Sequence, residues 1–322
     1  MLQFLRKYQS YIYLAVTIVI VISFSFFGTQ STIVLDPVRD QVVFVAIDGE
    51  PIRRHELDEM VAFISTDNYD KQAFQGAWGP NFLNNGVIRD NLLKTGLGTI
   101  LAFNYLEDLK PDLVSRFQKE KSYKPYQHPQ AKFIGQESVW AGYAPKISEN
   151  LKVLQNESSP ASEKAFDARV QLFLNEFEFP HYYSRYVIES QEKQFNFISH
   201  DPVLDQTDLS IFGYHTQEDW FGSRFIRLAA QFIINAAKIA EQKGYEVTKE
   251  EAFADLLKNS QLSYNQNANN PNIGVANSQE YYNQQLRLLG MSQAQVVKTW
   301  RQVLLFRRLF KDVGNAVFKS PC

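Results

Sequence analysis

Between Asn277 and Phe318 the chain carries two amphipathic helical patterns separated by a single glycine, and neither can be stable alone. The first opens at Asn277, three residues before Glu280, and places Tyr281, Tyr282, Leu286 and Leu289 on an apolar stripe that ends at Gly290. The second opens at once: Ser292 with Gln295 forms a capping box, and Met291 and Val296 occupy the two positions of a hydrophobic staple. Val296, Trp300, Val303, Leu304 and Phe310 then recur largely at helical spacing, with Lys298, Arg301, Arg307, Arg308 and Lys311 on the other faces. Short helices gain most of their stability from packing an apolar face. The earlier chain must therefore supply partner surfaces, and the expected fold is mainly α.

The N-terminus is the second constraint. No charged residue lies between Lys7 and Asp36, and Tyr11 to Phe27 is dense in Ile, Val and Phe. This run is long enough to cross a bilayer, and Arg6 and Lys7 before it place the N-terminus on the cytoplasmic side. Ser25-Phe26-Phe27-Gly28 lacks the small-residue pattern of a signal-peptide cleavage site, so the run reads as an uncleaved anchor. The lone cysteine, Cys322, allows no internal disulfide, and a formal charge of −2 offers no basic face for nucleic acid.

Further along, the β-branched run Val42 to Ile47, the Asp48-Gly49 turn and Pro51-Ile52 predict a small β-hairpin, followed by a helix from Arg54 to Ser65 with Leu57, Met60, Val61 and Ile64 inward. A helical pattern from Val87 to Leu109 is interrupted by Gly96 and Gly98 and ends before Pro111. Ser122 to Pro145 carries no clear period. Ser159-Pro160 predicts a helix start before Phe166, Val170, Phe173 and Phe177, and His181 to Phe197 a further helix. The clearest long helix carries Phe225, Ala229, Phe232, Ala236 and Ile239 and closes at Lys243-Gly244. Thr248 with Glu251 caps a shorter one, and Asn259 to Asn277 reads as a polar linker.

The ordered set resembles a known family. The anchor is followed by Val45-Ala46-Ile47-Asp48-Gly49-Glu50-Pro51-Ile52, later by Lys243-Gly244-Tyr245 and Val247-Thr248-Lys249-Glu250-Glu251, and last by Tyr281-Tyr282-Asn283 and Leu289-Gly290-Met291-Ser292. This is similar to the N-terminal chaperone module of the SurA/PpiD group of periplasmic peptidyl-prolyl isomerases, with the membrane-anchored PpiD type the nearer. The resemblance implies a mainly α fold with a small β-hairpin: a SurA-N-like helical module preceded by one transmembrane helix. It implies an anchor over 1–35, a discontinuous module over 41–66 plus 222–318, and a mainly helical insertion over 67–221. The family's parvulin domain has no counterpart, since the chain has no Gly-Gly dipeptide, so isomerase activity is not carried over.

The function expected on that basis is a single-pass bacterial inner-membrane protein with its bulk in the periplasm. It would hold unfolded or newly translocated polypeptides without isomerisation. The alternatives are the N-terminal part of a longer isomerase and an envelope scaffold with one fixed partner. Tyr281, Tyr282, Leu286, Trp300, Phe306 and Phe310 are the expected peptide-contacting set; for each taken singly, a place in the core is the competing expectation. His200, Asp201, Asp205 and His215 share a polar stretch, but their spacing matches no metal-ligand pattern. No phosphate loop, dinucleotide fingerprint or positioned nucleophile occurs, so neither an enzyme, a metal nor a cofactor is expected.

Overall fold

The computed structural model describes residues 41–65, 86–195, 197–267 and 274–319, with side chains as far as residue 312. The expected membrane span lies outside these residues. Among the described residues no helix is long and apolar enough to cross a membrane. Over the described residues the fold is mainly helical with one two-stranded sheet. The chain divides into two compact units.

The first unit holds the described residues up to Asn104 and those from Phe225 onward. Strands β1 (Val42–Val45) and β2 (Pro51–Arg53) pair antiparallel, Phe44 opposite Ile52. Gly49 adopts φ 85°, which a side chain would disfavour, and its N–H closes the turn onto Ala46 O at 2.9 Å. Helix α1 (Arg54–Ile64) follows directly and buries Leu57, Met60, Phe63 and Ile64. The π-helical segment α2 (Val87–Leu93) follows, and α3 (Leu97–Asn104) begins after Gly96 at φ 80°.

The long helix α4 (Ser223–Gln242) is the spine of this unit and buries Phe225, Ala229, Phe232 and Ala236 among others. Asn235, nearly buried, accepts the Ile47 N–H at 2.9 Å and so fixes the hairpin on that helix. Helices α5 (Lys249–Asn267), α6 (Ser278–Leu289) and α7 (Gln293–Lys319) complete the unit. Asn277 accepts the Glu280 N–H at 2.9 Å, Gly290 closes α6 at φ 69°, and Ser292 with Gln295 forms the reciprocal cap. On α7, Leu305 and Leu309 are buried while the expected Leu304 is only half-buried, because the helix is enclosed on more than one side.

The second unit runs mostly from Tyr105 to Arg224. Its first helix, Leu106–Ser122, passes through Pro111, before which the sequence pattern predicts a stop. Pro111 lies near the helix start and forfeits one intrahelical bond, while Leu109 before it and Leu113 and Glu120 beyond it are buried. Helix Gln136–Tyr143 fills part of the stretch without a clear period, and helix Pro145–Asn156 starts at its end. Glu163–Glu178 starts at Ser162, whose Oγ accepts the Ala165 N–H at 3.0 Å, and His181–Gln194 follows Pro180.

An aromatic nest of Phe173, Phe212, Tyr214, Trp220 and Phe221 forms one core of this unit, with ring centroids 5.3–5.9 Å apart. Phe212 is held at φ 61°, a strained conformation costing about 1–3 kcal/mol, over-determined here by its three ring neighbours Tyr123, Tyr214 and Trp220. Arg169 meets Glu120 in a fully buried bidentate pair at 2.8 and 2.7 Å and also donates to Pro160 O. A second core gathers Ala131, Ile134, Val139, Ile188, Ile198, Leu204 and Leu209.

Candidate functional site

The six expected peptide-contacting residues sit inside the first unit. Tyr281, Tyr282, Trp300 and Phe306 are buried, Phe310 nearly so, and Leu286 is half-buried. Trp300 donates to Asp255 Oδ2 at 2.9 Å and lies 5.9 Å from Phe63, while Phe306 and Phe310 pack on Phe232. Tyr281 faces Tyr264 and Tyr282 faces Phe253. Burial pushes both phenols up to about 12. The rings turn toward other rings of their own unit, a packing role that stabilises by roughly 1.5–3 kcal/mol per large apolar side chain.

The polar stretch in the second unit is divided. His215 pairs with Asp208 at 2.8 Å, His200 with Asp205 at 3.2 Å, and Asp201 turns to Tyr126 Oη at 2.7 Å. Burial raises the Asp208 carboxyl, but hydrogen bonds from His215 and Ser210 outweigh it and hold the group well below the carboxylate range. Among the described residues no group of three or more histidines, cysteines and carboxylates is placed to hold a metal.

What the fold assembles instead is a polar centre around Glu192, on the inner face of helix His181–Gln194. This carboxylate is almost fully buried. Its Oε2 accepts from His200 Nδ1 at 2.6 Å, and its Oε1 accepts the Asp201 N–H at 3.2 Å and faces His128 Nε2 at 3.3 Å. The ring of His128, itself buried, accepts the Gln130 N–H on Nδ1 at 3.2 Å, which leaves its Nε2 as the protonated nitrogen, shared with Ser199 O. Asp201 caps the short helix Pro202–Gln206 through the Val203 N–H. The Tyr126 hydroxyl comes first among the causes that lower its pKa; burial opposes it, and the Val203 amide adds to the lowering. Arg185 donates to Leu204 O and Thr207 O, so the segment after Ser199 is clasped to helix His181–Gln194 at both ends.

A cavity of about 510 Å³ opens beside this centre, lined by Glu189, Glu192, Lys193, Ile198, His200 and Asp205. His200 donates to Glu192 from one ring nitrogen and lies within 3.2 Å of both Asp205 oxygens at the other. The Glu192 hydrogen bond first, then that of Asp205, raises its pKa, because both favour the imidazolium. Both ring nitrogens are thus engaged by carboxylates. Nothing in the local sequence distinguishes Glu192 or His128 from surface polar residues. Only the fold brings them together.

Fold and site define a mainly helical protein with a carboxylate–imidazole clasp in its second unit and no assembled metal centre among the described residues. Residues 3–319 match the family model described as "Conserved hypothetical protein CHP03076, glycine cleavage", and the chain belongs to that family. No curated protein and no solved structure matches it.

This match overturns the SurA/PpiD reading, and with it the periplasmic chaperone function and the isomerase and scaffold alternatives. Residues 67–221 lie within the matched range. The quoted fragments are hairpin-turn and helix-cap chemistry, which unrelated proteins share for the same stereochemical reasons.

Proposed function

We propose that this protein is an accessory component of glycine cleavage that acts by binding and carries no covalent step of its own. The observation behind this reading is the family match over residues 3–319, whose description is glycine cleavage. The polar centre supports the non-catalytic part: His200, the one half-exposed imidazole there, is engaged by carboxylates at both nitrogens. The formal charge of −2 supports a partner other than nucleic acid. The test is release of labelled carbon dioxide from carboxyl-labelled glycine. Extracts depleted of this protein should release it several-fold more slowly, and the purified chain alone should release none. Unchanged release after depletion would refute the link to glycine cleavage, and release by the purified chain alone would refute the accessory role.

A further inference from the structure

The second unit carries another concavity, of about 720 Å³, within the size range of small-molecule sites. Its rim holds Lys121, Lys124 and Lys132 against a single carboxylate, Glu137. No carboxylate among the described residues pairs with any of these three lysines, whereas Lys110, Lys238 and Lys298 are all paired. Lys121 Nζ lies over the Phe117 ring at 4.9 Å, and the three ammonium groups, none neutralised by a carboxylate, repel one another around one cleft. A bound anion relieves that repulsion and gains charge-assisted hydrogen bonds.

The walls are built rather than loose. Gln136, almost fully buried, accepts the Tyr126 N–H on Oε1 at 2.8 Å, donates its own N–H to Tyr126 O at 3.0 Å, and donates from Nε2 to Leu209 O at 2.6 Å. Gln127 bridges to Gly135, where an added Cβ would lie 2.6 Å from Tyr126 O. Gln155 ties Tyr123 O from the far side at 3.1 Å. The Tyr126 hydroxyl is committed to Asp201, so this residue offers the cleft its ring and stem, and Leu151 adds an apolar patch. Cations at the rim and fixed apolar surface inside suit an organic molecule with two or more negative charges.

We propose that this cleft binds a small organic polyanion, with Lys121, Lys124 and Lys132 as its cation set. The proposal stands on the cleft alone and does not depend on the glycine-cleavage reading. Calorimetric titration of the full chain at low salt, with citrate and with pyrophosphate as probes, tests it. One probe or both should bind, and which one does assigns a carboxylate or a phosphate ligand class. Lys124→Glu/Lys132→Glu should weaken binding by about tenfold or more, and added salt should weaken it further. Lys146→Glu/Lys152→Glu changes the net charge equally at two exposed positions of helix Pro145–Asn156 that do not line the cleft, and should weaken binding far less. All four side chains are exposed, so both variants should fold. Binding of neither probe, or equal loss in the two double variants, would overturn the proposal.

Discussion

At the scale of single residues, the second unit depends on two polar commitments. The buried Arg169–Glu120 pair is satisfied by its bidentate geometry and by Pro160 O. Removing one partner strands the other charge in the interior. Glu120→Gln or Arg169→Met should therefore destabilise by about 3–5 kcal/mol in urea unfolding, whereas the joint Glu120→Leu/Arg169→Met change should cost much less. Equal and additive losses would contradict that account. The His200 clasp has a pH signature. Its folded pKa is raised above the ordinary 6.5, so its stabilisation is full below that value and is lost as pH rises through the folded one. The gap in unfolding midpoint between wild type and His200→Gln should accordingly be widest in mild acid and close in alkali. A gap independent of pH would assign His200 a packing role instead.

Helix ends were legible at the scale of elements because their chemistry is local. Asn277 with Glu280, Thr248 with Glu251 and Ser292 with Gln295 all make the hydrogen bonds their spacing implies. Gly290 sits at φ 69° with open space where a Cβ would project. Gly290→Ala should therefore cost only the backbone term, about 1–2 kcal/mol by thermal or urea unfolding, with no added clash. What was not legible depended on distant contacts. Helix Lys249–Asn267 continues well into the polar stretch read as a linker, because Ser260 Oγ reaches Ser278 O and Tyr264 Oη reaches Ala276 O. Tertiary packing there overrides weak helix propensity. Pro111 misled for a related reason: a proline early in a helix costs one bond, which the buried face beyond it outweighs. The site was hidden more deeply. His128, Glu192 and His200 come from an irregular stretch, a helix face and a loop, and no period connects them.

For the whole molecule, the family match and the short-motif resemblance pointed in different directions, and extent decided between them. Turn and cap motifs specify how elements begin and end, while a match over residues 3–319 constrains the order and spacing of all of them. In the role proposed above, the chain serves glycine cleavage without performing its chemistry. Adding the purified full chain back to a depleted extract tests this most directly, with labelled carbon dioxide from carboxyl-labelled glycine as the readout. Restoration of the lost rate in proportion to the protein added is the predicted result; a rate that stays flat across the titration would contradict it.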